Sequence, residues 1–368
     1  MVSVDPILLQ LDQNRSYPIY VTSDQLSCFG SYFQSLNTGK KILVIYQSST
    51  EKYASLIVKA LTTKGFNAFK YELVEGEQAK SWTIVKIILD ELLRLSLERQ
   101  DVVIAVGGGV VGDVVGFVAS IYLRGIHFIQ VPTTVLSQVD ASVGGKTGIN
   151  HEKGKNLIGS FYQPKMVFID MLTLSTLSCR EIRSGLAEII KYGVIMDKDL
   201  FVKIEKDINR IQSLDINSNL ELWHYLIMKS CQNKATIVSQ DEKESELRMI
   251  LNFGHTMGHA IESVYGYSEY THGECVALGM KAAMQISVQR GWVTSSDYDR
   301  LISVLSSLSF PLSIPVQDHS PFLERMRHDK KVIDGKIRFV LPTGIGIVKS
   351  VDDVTKDELK MALSFIMK

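Results

Sequence analysis

One stretch limits the fold of this chain more than any other: "DVVIAVGGGVVGDVVGF", residues 101–117. Its opening run of branched and small apolar residues has no polar face, so it reads as a strand buried on both sides inside a parallel sheet. The strand passes through Gly107, Gly108 and Gly109 straight into a helical pattern. Gly107, Gly109 and Gly112 also satisfy GxGxxG. Glycines at such a turn let the backbone approach a pyrophosphate, and the free N–H groups and dipole of the new helix favour its negative charge. The stretch about twenty residues on, "HFIQVPTT", offers no acid for a ribose hydroxyl. An ordinary Rossmann arrangement is therefore disfavoured, while nucleotide binding is not. A tight strand-to-helix turn is the plain alternative.

The flanking patterns agree with a parallel sheet. "YPIYV", "KKILVIY", "FNAFKYELV" and "IHFIQVPTT" read as strands, with "STEKYASLIVKALTTKG" and "SWTIVKIILDELLRLSLERQ" as helices among them. Units of this length predict helices on both faces of the sheet. Past Leu177 the rhythm changes. "REIRSGLAEIIKYGVI", "LELWHYLIMKSCQNKATIVSQ", "LNFGHTMGHAIESVYG" and "HGECVALGMKAAMQISVQRG" carry helical periodicity, and only "GKIRFVLPTGIGIVKS" reads as a hairpin. The fold class expected is an α/β N-terminal domain (parallel sheet, Rossmann-like, nucleotide-binding) followed by a mostly α-helical C-terminal domain. The boundary falls at Leu177, giving domains 1–177 and 178–368.

Charge narrows the partners. Among 368 residues, 40 Lys and Arg balance 40 Asp and Glu, so no global field attracts nucleic acid or an anionic membrane. Anionic ligands must be met by local basic clusters. The four cysteines are scattered without a CxxC, which argues against a disulfide framework or thiolate zinc site and for a reducing compartment. The N-terminal segment lacks a basic end followed by an apolar core, and the most apolar stretch is broken by glycines and two aspartates. A cytoplasmic protein is expected.

Two histidine motifs raise the question of a metal. His255 and His259 in "LNFGHTMGHAIE" share one helical face, and His272 follows in "THGECVALGM". The hydrolytic HExxH reading fails because Thr256 stands where Glu is required. A catalytic site takes three N or O ligands and keeps a position open, and His272, Glu188 and Glu262 are candidates to complete it. The alternative is that the helical pair caps neighbouring carbonyls. Spacing alone leaves this open. A GKT at Lys146 is no P-loop, since Asp140 occupies the required glycine position; Lys146 remains a point charge for a phosphate.

Read together, "GGGVVGDVVGFVAS", "QVPTTVLSQVDASVGGKTGIN", "KNLIGSFYQP", "RSGLAEIIKYG", "DEKESELRMILNFGHTMGHAIE", "HGE" and "DKKVIDGKIRFVLP" resemble, in the same order, the 3-dehydroquinate synthase family of sugar phosphate cyclases. The resemblance covers nearly the whole chain. It implies an NAD-holding α/β domain and a helical domain that supplies most of a divalent-metal site, zinc or cobalt. It assigns the metal ligands to Glu188, His255 and His272, leaving His259 a catalytic group. NAD contacts carry over to Glu75, Gly76, Glu77, Gln78, Ala79 and Lys80; to the turn Gly107, Gly108, Gly109, Val110, Val111, Gly112 and Asp113; to Thr133, Thr134, Lys146 and Lys155; and to Thr173, Leu174, Ser175 and Thr176. The substrate set carries over as Asp140, Lys146, Asn156, Arg124, Lys191, Lys234, Arg248, Asn252, His259, Lys330 and Lys331. Many family members place an acid or amide near the adenosine ribose where the second strand ends; this chain reads "VIYQSST", and neither Tyr46 nor Ser48 is assigned. The family turns 3-deoxy-arabino-heptulosonate 7-phosphate into 3-dehydroquinate and phosphate, through transient oxidation by NAD, phosphate elimination, reduction and an intramolecular aldol closure. That activity belongs to the shikimate pathway of aromatic amino acid and chorismate biosynthesis. A homodimer is also implied.

Overall fold

The computed structural model describes residues 5–12, 15–266, 269–315, 318–327, 332–333 and 336–368. Up to residue 177 the elements are β1 (Ile7–Leu9), β2 (Tyr17–Thr22), α1 (Phe29–Gln34), β3 (Lys41–Gln47), α2 (Glu51–Thr63), β4 (Asn67–Leu73), α3 (Trp82–Arg94), β5 (Val102–Gly107), α4 (Gly109–Ile121), β6 (His127–Pro132), β7 (Lys146–His151), β8 (Gly154–Phe161) and β9 (Met166–Asp170). Seven strands form one sheet in the order β1-β2-β9-β6-β5-β3-β4, parallel throughout except for β1 against β2. The expected parallel sheet is present.

Its two faces are read from strand alternation. Leu43 and Ile45 of β3 and Val103 and Ala105 of β5 pack with α3 and α4 on one side. Ile42, Val44, Val102, Ile104 and Val106 pack with α1 and α2 on the other. Helix α4 can lie close because it carries glycines at the contact. A Cβ on Gly116 would stand 2.4 Å from Thr147 Cγ2 and 2.9 Å from the Phe128 ring. The antiparallel pair β7–β8, which sequence periodicity did not signal, lies outside the main sheet and carries Lys146, Lys155 and Asn156.

The later elements are α5 (Cys179–Ile195), α6 (Lys198–Lys206), α7 (Ile208–Gln212), α8 (Leu220–Gln240), α9 (His255–Val264), α10 (His272–Gln289), α11 (Ser295–Ser307), α12 (Ser320–Arg327), β10 (Val332–Ile333), β11 (Lys336–Ile337), β12 (Phe339–Gly344), β13 (Ile347–Val351) and α13 (Lys356–Ile366). The expected hairpin is β12–β13, with a bulge between Pro342 and Gly344. Two compact units result: Met1–Leu177 with Ile216–Lys243, and Ser178–Asp215 with Glu244–Lys368. Helix α8 thus belongs to the first unit, against β1, β2 and the turn after β6. In the second unit α10 is buried along most of its length, as a helix apolar on all sides must be, and α5, α9, α11, α13 and β12 surround it.

Candidate active site

Two of the helices in the second unit begin at a histidine. His255 opens α9 and follows Gly254, whose φ of +77° lies in the left-handed region that favours glycine. His272 opens α10 after Thr271, which forms a capping box with Glu274. Glycine contacts set where these helix starts lie. A Cβ on Gly279 of α10 would meet Gly254 O at 1.9 Å, and one on Gly273 would meet Ser184 O at 2.1 Å. So α10 lies against the backbone at the start of α9 and against α5 one turn before Glu188. Gly273 N also donates to Ser184 Oγ at 3.0 Å.

Because of this packing, three donor atoms converge. Nε2 of His255 lies 3.5 Å, and Nε2 of His272 3.4 Å, from Oε1 of the fully buried Glu188. Atoms bound about 2.1 Å from a tetrahedral zinc stand ~3.4 Å apart, so the spacing suits a divalent ion. The ring nitrogens on the other side are also engaged, His255 Nδ1 with Phe253 O at 3.1 Å and His272 Nδ1 with Glu262 Oε1 at 3.0 Å. Burial lowers the His272 pKa, but hydrogen bonds with Glu188 and Glu262 outweigh it and lift it to about 10. Glu188 Oε2 contacts the Lys191 ammonium, also buried. His259 stands beside the group, its ring centroid 5.4 Å from that of His255 and 6.3 Å from that of His272. Glu188, His255 and His272 are the one such cluster of metal-binding side chains among the described residues.

Other predicted substrate residues fall in both units. In the second, Arg248 is buried and Asn252 Nδ2 donates to Glu244 Oε1 at 2.8 Å. Lys330 and Lys331 lie outside the described residues. In the first, Lys234 Nζ reaches Asp140 Oδ1 at 2.7 Å and Asp140 O at 2.5 Å, tying α8 to the π-turn Ser137–Ala141. Arg124 is exposed on a turn where Leu123 and Arg124 both have positive φ, 49° and 65°.

The predicted dinucleotide residues all lie in the first unit, most of them just past the C-terminal ends of β4, β5, β6 and β9, with Lys146 and Lys155 on the β7–β8 pair. Gly107 ends β5, Gly108 caps α4, and Thr133 N donates to Gly107 O at 3.0 Å. A Cβ on Gly112 would stand 2.5 Å from Gln130 Oε1. Lys80 is buried with its ammonium 2.6 Å from Asp113 Oδ2 and in contact with Asn156 Oδ1. Burial raises the Asp113 pKa, and Lys80 opposes that rise. Asn150 joins Glu77 Oε1 at 2.8 Å and accepts from Asn156 N at 3.0 Å. Glu75 Oε1 accepts from Ser48 Oγ and Ser49 N, both at 2.8 Å. The amide at the end of β3, Gln47, donates to Val74 O at 2.7 Å. Tyr53 O–H reaches Thr173 O at 3.1 Å and Thr176 Oγ1 at 3.0 Å. Sequence reasoning passed over Gln138, whose buried Nε2 donates to Pro132 O and Thr173 Oγ1 at 3.1 Å, stapling the ends of β6 and β9.

Comparison with known proteins decides the family. The 3-dehydroquinate synthase N-terminal domain family matches residues 70–184 and its C-terminal counterpart residues 185–332. A 3-dehydroquinate synthase of Desulforamulus reducens is 45% identical over 95% of this chain and 97% of its own.

The chain belongs to the 3-dehydroquinate synthase family.

Members of the wider fold confirm its architecture. The structure of 2-epi-5-epi-valiolone synthase from Streptomyces hygroscopicus, with NAD+ and Zn2+ bound, superposes with a TM-score of 0.86 at 27% identity, covering 97% of this chain and 98% of that one. A 2-deoxy-scyllo-inosose synthase holding carbaglucose-6-phosphate, NAD+ and Co2+ matches with a TM-score of 0.81 at 24% identity, over 97% and 99% of the two chains, and speaks for the fold alone. No helix among the described residues of this 3-dehydroquinate synthase family member is long and apolar enough to cross a membrane.

Proposed function

We propose that this chain is the phosphorus–oxygen lyase that converts 3-deoxy-arabino-heptulosonate 7-phosphate into 3-dehydroquinate and phosphate, with NAD regenerated in each turnover and one divalent ion, zinc or cobalt. The observation that carries this reading is the convergence of Glu188 Oε1 with Nε2 of His255 and of His272, in a chain that matches the family along nearly its whole length. One carboxylate oxygen and two imidazole nitrogens are a donor set for zinc or cobalt that leaves room for substrate oxygens. When bound, NAD takes up and returns the hydride of the carbon 5 carbinol, while the ion acidifies the hydroxyl it holds.

The chain's own residues supply the rest. Lys191, in contact with Glu188, and the buried Arg248 offer positive charge to the substrate's carboxylate and phosphate. His259 is the proton carrier for the carbon 5 hydroxyl, within one side chain's reach of both histidine ligands. Lys146, Asn156, Arg124, Lys234, Asn252, Asp140, Lys330 and Lys331 complete the substrate set. The Gly107–Asp113 turn, Glu75 to Lys80, Thr133, Thr134, Lys146, Lys155 and Thr173 to Thr176 hold the dinucleotide. In this reading residues 1–177 hold NAD, residues 178–368 supply the ion's ligands and most cations, and the working assembly is a homodimer.

The test is phosphate release from the heptulosonate substrate with NAD far below substrate. Release will continue through many equivalents of NAD, since the cofactor is regenerated. A polyol dehydrogenase of the same fold stops when its NAD is consumed, so an end point at one equivalent of NAD, or no phosphate, overturns the assignment.

A further inference from the structure

We infer that Glu262 is a positioning residue for the divalent ion, holding the His272 imidazole from behind so that Nε2 faces Glu188 and binds more strongly. The inference rests on the ligand set proposed above. Glu262 itself is outside that set, because its Oε1 meets the opposite ring nitrogen, Nδ1, at 3.0 Å. A carboxylate only 9% exposed needs a strong partner, and this ring is one.

Helix spacing explains how one element serves two ligands. His255, His259 and Glu262 stand at i, i+4 and i+7 of α9, a single stripe on one face. Helix α9 therefore provides one ligand directly and braces the other, which arrives on α10. The two imidazoles are braced differently. Phe253 O, a neutral carbonyl, faces His255 Nδ1, whereas a carboxylate faces His272 Nδ1. A carboxylate behind a ligating imidazole keeps the proton on the far nitrogen, fixes the ring orientation and raises the basicity of the binding nitrogen.

Charge supplies a reason for the asymmetry. Lys191 contacts the second oxygen of Glu188 and draws electron density from that ligand. Glu262 returns negative charge to the group through His272. A site built from Glu188 and two unassisted imidazoles, with an ammonium alongside, would hold a dication less tightly.

The test uses the full chain and Co2+ as probe, with affinity read by competition against a chromophoric chelator. Glu262→Gln preserves shape but removes the charge. It is expected to weaken Co2+ binding about 10- to 100-fold and to shift the visible d–d bands, while unfolding of the ion-free protein stays near that of the parent. His272→Ala is the reference. Parent affinity in Glu262→Gln beside a defective His272→Ala overturns the role of Glu262 alone. Parent affinity in both overturns the ligand set as well. Should Glu262→Gln fail to fold, long-range proton–nitrogen spectra of the Zn2+-loaded parent decide. Protonated Nδ1 and ligated Nε2 on His272 are expected, and ligation through Nδ1 overturns the proposal.

Discussion

Glu188 divides its two oxygens between different duties. Oε1 faces the imidazoles of His255 and His272 and Oε2 faces Lys191, so under the function proposed above a single buried carboxylate would serve both the ion and a cation for the substrate. The spacing between Glu188 and the two imidazoles depends on residues outside the group. Gly279 is the most sensitive of them, because a Cβ there would lie 1.9 Å from the backbone oxygen of Gly254. Backbone cannot rotate aside as a side chain does. Gly279→Ala must therefore push the start of α9 outward, taking His255 with it. The expected cost is about 3 kcal/mol, the upper part of the overpacking range, with weakened Co2+ binding. Urea unfolding and chelator competition on the purified variant measure both. Unchanged stability would mean that α10 at Gly279 and the start of α9 are not in close contact.

At the scale of elements, helix termini do much of the positioning. Capping boxes open α5 at Ser178 and Glu181, α10 at Thr271 and Glu274, and α13 at Thr355 and Glu358. Two of these acids also anchor an arginine. Glu274 takes Arg180 of α5 in a fork, and Glu358 takes Arg290, the residue just past α10. The Arg290 guanidinium foremost, helped by Thr355 against the effect of burial, holds the Glu358 pKa at about 2 instead of 4.5. The folded-state value is the depressed one. Its stabilisation is therefore complete above pH ~4.5 and is lost as pH falls through about 2. Allowing for solvent screening of this partly exposed pair, Glu358→Gln is expected to cost about 1 kcal/mol at pH 7 and clearly less at pH 3. Urea unfolding at the two pH values tests this. An equal difference at both would assign the loss to the cap alone.

At the scale of the whole molecule, the chain builds two compact units with different chemistries. The first gathers glycine turn, hydroxyls and the Lys80–Asp113 pair at the ends of parallel strands, where α/β sheets bind nucleotides. The second gathers a carboxylate and a buried cation from the middle of α5 with imidazoles at the starts of α9 and α10. Each ligand is expected to stabilise its own unit, by about 2.7 kcal/mol at a hundred times its dissociation constant. Hydrogen exchange makes this visible. Zn2+ alone should slow exchange in α5 and the first turns of α9 and α10, and NAD alone in residues 107–113, 133–134 and 173–176. Zn2+ protecting the glycine turn as strongly as the start of α9 would contradict this division.

Local order was the legible part. Unbroken apolar runs in β3 and β5 marked a sheet covered on two faces, and Gly107 to Gly112 marked the strand-to-helix turn, because apolar runs and glycine content are properties of neighbouring residues. The i, i+4 spacing put His255 and His259 on one face for the same reason. The β7–β8 pair has too little apolar alternation to announce itself, with Lys155, Asn156 and Leu157 in succession. Strand β9 was equally unmarked, and its insertion between β2 and β6 is a matter of long-range pairing. The choice of His272 and Glu188 as partners for His255 came from family resemblance, since no local pattern joins three residues on three helices. Only the tertiary structure brings them together. Backbone-to-backbone approaches at Gly254–Gly279 and Gly273–Ser184 hold the starts of α9 and α10 in place, and a close approach of that kind is a property of packing that no stretch of sequence carries by itself.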